Sequence, residues 1–443
     1  MNSFEELGID RDILKNIADM GFTEPTAIQE KCIKPIIEGK DVIGKSETGS
    51  GKTLAFGCGI IQNRIKKGIG AIVLAPTREL AVQVSESLSD YSKQLSLSVV
   101  PIYGGVSISN QTNQLRKANI VVATPGRLLD HMQRGSIDLS QVQVIVLDEA
   151  DRMVDMGFID DVKKIMSACP KERQTLLFSA TMSEEIKKIE KRYMKNPVRM
   201  LTEDYVDPSK LFQVYYDVSP VKKFSLLVHL LKGDDDEGLK LVFCNTKREV
   251  DFITSNLNYN GIEAIAIHGG YTQAKRTKTM DNFRNQKVKV LVCTDVAARG
   301  LDIPGVSHVY NYDLPQDRKD YVHRIGRTAR AGEKGKVINI LAPKDHDNFS
   351  RIMELGIKVE KGETPETSSV NIQRNQPARS RPSTQSRGQR SNPRAPGGRG
   401  PSSRTSRGGN QRSPSKPTGR PGERPAKKSN FRGNSKKRDF NRR

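Results

Sequence analysis

Val144-Ile-Val-Leu-Asp-Glu-Ala-Asp151 is a run of four large apolar residues that ends abruptly in three acids. An apolar run of this length predicts a strand buried on both faces, so Asp148, Glu149 and Asp151 fall where that strand stops. In open parallel sheets, ligands bind in the crevice beyond the carboxyl ends of the strands. Acids placed there can hold a metal ion and orient a water. Taken alone, the stretch reads more simply as a strand running into a solvated acidic turn.

A second stretch, about a hundred residues earlier, changes that balance. Ser46-Glu-Thr-Gly-Ser-Gly-Lys-Thr53 follows the short apolar segment Asp41-Val-Ile-Gly44 and precedes Leu54-Ala-Phe56. Strand, glycine-rich loop and helix start form the context of a phosphate loop, in which Gly49 and Gly51 let backbone N–H groups turn toward phosphate oxygens. Thr48, Gly49, Ser50, Gly51, Lys52 and Thr53 are therefore candidate nucleotide-binding residues. Lys52 would reach the β- and γ-phosphates and the Thr53 hydroxyl would ligand Mg²⁺. Ser46 stands where the general pattern has Gly. Combined, the two stretches predict one site, with Asp148 acting on Mg²⁺ and Glu149 accepting the proton of an attacking water. The reaction implied is hydrolysis of a nucleoside triphosphate.

The chain has 443 residues, enough for two or three domains with cores of their own. Its net charge of +22 is unevenly spread: Val370–Arg443 holds 21 Lys or Arg against Glu423 and Asp439, a net of +19. The remainder is nearly neutral. Five cysteines, Cys32, Cys58, Cys169, Cys244 and Cys293, lie far apart without a C-x-x-C pair, which points to buried thiols in a reducing, cytoplasmic setting. The acidic N-terminus lacks an apolar signal region, and no long apolar span implies a membrane.

Before the phosphate loop, Phe4 to about Asp19 predicts a short amphipathic helix, and Pro25 the first turn of the next one. Strands are then expected at 71–75, 98–103, 120–123, 144–147 and 175–178, with helices at Arg78–Tyr91 and Glu184–Tyr193. Around 196–210 the pattern lapses into polar residues with Pro197 and Pro208, read as a linker. Alternation resumes with strands at 213–217, 240–244, 264–267, 288–293, 308–312 and 337–341. This βα alternation predicts an α/β protein with two parallel-sheet domains. Their expected bounds are 1–200 and 211–361, joined by a linker at 201–210. Residues 362–443 are rich in Arg, Gly, Ser and Pro and too polar to offset backbone ordering, so they are expected to be a disordered tail.

The ordered set of motifs resembles the DEAD-box RNA helicases of superfamily 2, whose domains are RecA-like. Gly21 to Gln29 looks like the family's Q motif, with Phe4 seventeen residues upstream of Gly21, where the family has an isolated aromatic. Pro76-Thr-Arg-Glu-Leu-Ala81, Gly104-Gly105, Thr124-Pro-Gly-Arg127, Asp148-Glu-Ala-Asp151 and Ser179-Ala-Thr181 follow. Val242-Phe-Cys-Asn-Thr246, Gln273-x-x-Arg276, Thr294-Asp-Val-Ala-Ala-Arg-Gly-Leu-Asp302 and His323-Arg-Ile-Gly-Arg-Thr-Ala-Arg330 complete the set. The resemblance spans roughly 4–360. Ser46 replaces the Ala usual in the family, a small-for-small change.

The resemblance implies ATP as the nucleotide. Gln29 would pair with adenine N6 and N7, Phe4 would stack on the ring and Phe22 would line the same pocket. Asp302 would hold the ribose, and His323 would link the γ-phosphate side to Ser179 and Thr181. Arg327 and Arg330 would act as arginine fingers, groups worth about 10³ to 10⁵ in rate. Pro76, Thr77, Arg78, Gly104, Gly105, Thr124, Pro125, Gly126, Arg127, Gln273, Arg276 and Thr294 match positions lining an RNA path. They would contact a single strand or short duplex through its backbone, independent of sequence. The expected activity is RNA-dependent ATP hydrolysis coupled to local unwinding of short duplexes or remodelling of RNA–protein complexes. An ATP-gated RNA clamp or assembly platform would use the same motifs, and an RNA chaperone would work mainly through the tail. Arg-rich tails bind RNA by phosphate contact and counterion release. In composition this tail is similar to those of some microbial cold-shock-type members.

Overall fold

Short β-branched runs buried on both faces have no solvent side to alternate with, so they pack side by side as parallel strands between helices. In this computed structural model, which describes residues 3–45, 50–63, 65, 68–201, 211–298, 303, 305–329, 334–367 and 370–373, they form two sheets. The first contains β1 (Val42–Lys45), β2 (Ala71–Leu74), β3 (Val99–Ile102), β4 (Ile120–Ala123), β5 (Val144–Leu147), β6 (Gln174–Ser179) and β7 (Val198–Leu201), in the order β3-β4-β2-β5-β6-β1-β7. The second contains β8 (Leu211–Asp217), β9 (Leu239–Phe243), β10 (Ala264–Ile267), β11 (Val290–Cys293), β12 (Val306–Asn311), β13 (Gly335–Leu341) and β14 (Glu360–Lys361), in the order β10-β11-β9-β12-β13-β8-β14. All pairings are parallel. An apolar cluster covers each face of each sheet, which gives each domain a core of its own.

Strand order does the positioning. β5, β6 and β1 are neighbours, so their carboxyl ends, at Leu147, Ser179 and Lys45, lie side by side at the same edge. β3, β4 and β2 form the other half of the sheet and deliver Gly104, Thr124 and Thr77 to that edge. In the second sheet β10, β11 and β9 lead into Gly269, Thr294 and Thr246 in the same way.

Four expectations are corrected. Phe4 to Asp19 is not one helix: a 3₁₀ turn Phe4–Leu7 ends at Gly8, whose φ of 80° stops it, and a helix Arg11–Asp19 follows. Pro25 lies outside the next helix, which starts at Ala27 because Thr26 and Gln29 close a capping box at its head. Val198–Leu201, inside the segment read as linker, is edge strand β7, paired with β1 along its whole length. A four-residue edge strand beside Pro197 carries too little periodicity to announce itself. The fourth correction concerns the end of the second domain, expected at Lys361. Gly362 donates to Tyr215 O at 2.9 Å and Thr364 to Asp217 O at 3.1 Å. Asn256 then accepts from the Gln373 N–H at 2.7 Å, and Asn260 donates to Asn371 O at 3.0 Å. These bonds tie 362–367 and 370–373 to the second domain. Residues 202–210 and 374–443, the rest of the linker and of the tail, lie outside the described residues.

All five cysteines are buried and free. Among the described residues no helix is long and apolar enough to cross a membrane.

Candidate nucleotide and RNA sites

Lys52 opens the helix Lys52–Gln62 and is buried. Gly51 caps that helix at φ 89°, and a Cβ there would stand 2.3 Å from the Gln29 amide nitrogen, so both conformation and space demand glycine. Gln29 Nε2 donates to Gly51 O at 3.0 Å, its Oε1 accepts from the Thr26 N–H at 2.9 Å, and Thr26 Oγ1 donates to Ser50 O at 2.7 Å. The head of one helix is thus tied to the phosphate loop. A primary amide has two donors and two acceptor lone pairs, so Gln29 keeps one of each for a base edge. Ser46, Glu47, Thr48 and Gly49 fall outside the described residues, as do Asp302 and Arg330.

Phe4 takes a different place from the one expected. Its ring is 6% exposed within the cluster that includes Leu7, Ile13 and Ile33. Phe22, 45% exposed, is the aromatic of the two that remains open for stacking.

Asp148 is 2% exposed, and its Oδ1 has no hydrogen-bond partner. Burial, opposed by the nearby Lys52 charge and reinforced by Glu149, pushes its carboxyl up to about 6. A buried carboxylate oxygen without a donor is what a cation partner would satisfy, so the residue fits a magnesium role. Glu149 sits in the left-handed region at φ 52°, ψ 53°, a conformation that costs a non-glycine residue about 1 kcal/mol or more. Its side chain is buried with those of Asp148 and Asp151.

Asp151 has a structural task. Its Oδ2 accepts from the Thr181 N–H at 3.0 Å and the Thr181 hydroxyl at 3.2 Å, while its own N–H donates to Ser179 Oγ at 3.2 Å. The Ser179 hydroxyl donates to Thr181 O at 2.7 Å. The acids after β5 and the turn after β6 are thereby locked together. Burial raises the Asp151 carboxyl, and Glu149 adds to that.

From the second domain, His323, Arg324 and Arg327 line a narrow cleft together with Asp295 and, from the first domain, Arg152. Arg327 Nε donates to His323 O at 3.2 Å, one turn back. Sequence reasoning passed over Arg324. It is 1% exposed, with Nε and Nη2 on the two Asp295 oxygens at 2.6 and 2.7 Å, and with further bonds to Asn311 Oδ1 at 3.0 Å and Asn245 Oδ1 at 3.1 Å. It therefore connects the end of β12 and the segments after β9 and β11 to the helix Arg318–Ile325. The signal available was its place between His323 and Arg327 in the sequence.

On the other half of the edge, Gly105 and Gly126 are exposed, Gly104, Arg78 and Arg127 half-buried, and Pro76, Thr77, Thr124, Pro125 and Thr294 buried. Thr77 Oγ1 caps the helix Arg78–Tyr91 by accepting from the Leu80 N–H at 3.2 Å. The Arg78 guanidinium lies over Gly104 and Gly105. Arg127 differs from the expectation of a free phosphate partner: its Nη1 donates to Gln111 Oε1 at 2.8 Å and Val106 O at 3.2 Å, so it braces the Gly104–Gly105 loop. Gln273 and Arg276 also turn to protein. Gln273 Nε2 is 3.4 Å from Glu79 Oε1 and Arg276 Nη2 is 2.9 Å from Glu79 Oε2. Glu79, which no expectation singled out, joins the two domains beside Arg78.

Residues 26–189 match the family model described as DEAD/DEAH box helicase, and 222–332 the helicase conserved C-terminal domain. The DEAD-box ATP-dependent RNA helicase CshA of Geobacillus kaustophilus is 47% identical over 350 residues, covering 78% of this chain and 74% of that protein. Its counterpart in Bacillus subtilis is 48% identical over 348 residues, covering 77% and 70%. Among solved structures, S. cerevisiae Dbp5 bound to RNA and ADP BeF3 superposes with a TM-score of 0.75 at 34% identity, covering 82% of this chain and 96% of that one. Mss116 bound to single-stranded RNA and UDP-BeF gives 0.73 at 32% identity, covering 82% and 80%.

Proposed function

The chain belongs to the DEAD-box family of ATP-dependent RNA helicases, and from that premise we propose how its own residues divide the work. It is an RNA-dependent ATPase with two RecA-like domains. Lys52 and the backbone N–H groups of the phosphate loop hold the β- and γ-phosphates, Gln29 reads the adenine edge, and Phe22 covers the ring. Asp148 and Thr53 would hold Mg²⁺, and the chemistry it would supply there is neutralisation of charge on the phosphate oxygens.

Glu149 takes a proton from the attacking water as the new O–P bond forms at the γ-phosphorus and the bond to the β-phosphate oxygen breaks. ADP and phosphate are released. Arg327 and Arg330 neutralise the charge that builds on the γ-phosphoryl oxygens. Because those arginines belong to the second domain, hydrolysis requires the domains to meet, and RNA lying across both would favour that closure. A strand held by its backbone in a shape that a continuous duplex cannot take is separated locally. The basic tail adds sequence-independent affinity by counterion release.

The observation that carries this reading is the juxtaposition of Lys52 with Asp148 and Asp151, close enough for its charge to act on both carboxyls. ATP turnover measured with and without single-stranded RNA or DNA, in wild type and Glu149→Gln, tests it. RNA should stimulate and DNA should not, and the variant should lose at least about a hundredfold. An RNA-indifferent rate, or one that survives the substitution, would refute it.

A further inference from the structure

Arg152 follows Asp151 directly in the short helix Ala150–Asp155, and its side chain is only 5% exposed. Nη1 donates to Asp155 at 2.9 Å in the same helix, while Nη1 and Nη2 both donate to Asp320 Oδ1 at 3.1 Å. Asp320 is in the second domain, one turn before His323 on the helix Arg318–Ile325. A guanidinium buried this deeply is costly unless its charge is matched. Asp155 is available whatever the domains do, being three residues away on one helix. Asp320 is available only when they meet.

We infer that Arg152 and Asp320 form a closure latch: a buried ion pair made when the domains come together, which registers the acids of the first domain against His323 and Arg327 of the second. It rests on the reading that hydrolysis requires closure. Neither residue needs to touch ATP or RNA for this, so both are positioning residues. The route to the chemistry is short. The Arg152 N–H donates to Asp151 Oδ1 at 3.1 Å, and the other oxygen of Asp151 holds Thr181. On the opposite side, Asp320 Oδ1 is 4.0 Å from His323 Nδ1. Moving the ion pair therefore moves both walls of the cleft. The Glu79 contacts with Gln273 and Arg276 join the domains at the RNA half of the edge, so the Arg152 pair is a separate joint on the ATP half.

The test is a double-variant cycle on the full chain with Arg152→Gln, Asp320→Asn, the pair of them together, and the charge-preserving Asp320→Glu. RNA-stimulated kcat, half-saturating RNA, ADP affinity and the thermal transition are measured for each. Each neutral variant should lower stimulated kcat about tenfold and leave ADP affinity and melting in place, because neither substitution alters Lys52, Gln29 or Phe22, the groups proposed to hold the nucleotide. The double variant should be no slower than the slower single one, and Asp320→Glu should regain most of the rate. A double variant about a hundredfold down, the product of two independent losses, would overturn the latch. So would an Arg152→Gln protein at the wild-type rate, which would mean that Asp320 acts by orienting His323. Should Arg152→Gln fail to fold, equal rates for Asp320→Asn and Asp320→Glu overturn the latch by themselves. An RNA-insensitive wild type would refute the closure reading as well, whereas a stimulated wild type with indifferent variants removes the latch alone.

Discussion

Gly105 shows how much one residue decides at the edge of the first sheet. Its φ is +85°, and a Cβ there would stand 2.1 Å from Arg78 Nη1. The guanidinium is the flexible end of its side chain, so it can retreat; the backbone conformation cannot. Gly105→Ala should therefore cost about 1 kcal/mol of stability by urea denaturation. It should also raise half-saturating RNA in the ATPase assay, since Arg78 is displaced. Gly126 provides the contrast: no heavy atom lies within 4 Å of its added Cβ and its φ is not positive. Gly126→Ala should leave stability within about 0.5 kcal/mol and still weaken RNA, because the space it fills is on the outside, where a strand would pass. Unaltered RNA affinity in Gly126→Ala would remove that residue from the RNA path.

Among the elements, the helix Lys247–Tyr259 couples titration to packing. Glu249, in its first turn, is pushed up to about 7 by burial, by a hydrogen bond shared with Asp313 and by the charge of Asp313, with Lys344 and Lys223 acting against this. Asp313 is also pushed up by burial, but the shared bond and Lys223 bring it to a net lowering. The two acids therefore share one proton near neutrality. A raised carboxyl binds a proton in the folded state that the unfolded chain has released, so its stabilisation is full below about 4.5 and is lost as pH climbs to about 7. Glu249 is half-buried, and with solvent screening the effect should be on the order of 1 kcal/mol. Urea midpoints of wild type should fall between pH 5 and pH 8 relative to those of Glu249→Gln, which keeps a neutral donor for Asp313. Parallel curves would refute the shared proton.

At the scale of the whole molecule, the junction between second domain and tail sets where the chain can be cut. Residues 362–364 hold to β8 and residues 371–373 to Asn256 and Asn260, and Val370 packs on the apolar cluster beneath. A chain ending at Gln373 should keep its melting transition but lose most of its RNA affinity. If about eight tail cations engage RNA, log affinity of the full chain falls with a slope near −6 against log salt, and the shortened chain should lose that slope. A chain ending at Lys361 should in addition be about 2 kcal/mol less stable, because several hydrogen bonds and the Val370 contact are lost. Unchanged RNA affinity and salt slope after removal of 374–443 would refute the tail's role.

Local sequence determined a great deal here. Runs such as Val144–Leu147 and Ile120–Ala123 became strands at the expected residues because a buried β-branched stretch has few alternatives, and the helices Arg78–Tyr91 and Glu184–Tyr193 appear with the expected bounds. Gly51 and Lys52 could be read because a phosphate loop needs short-range order, strand then loop then helix, which a linear chain displays. Tertiary structure decided the partners. Phe4 is buried, Arg127 braces a loop, Gln273 and Arg276 bind Glu79, and Arg152 finds Asp320 across 168 residues of chain. A side chain's type states what it can bond to. Which group it meets depends on strand order and on the meeting of two domains, and neither is written in the spacing of neighbouring residues.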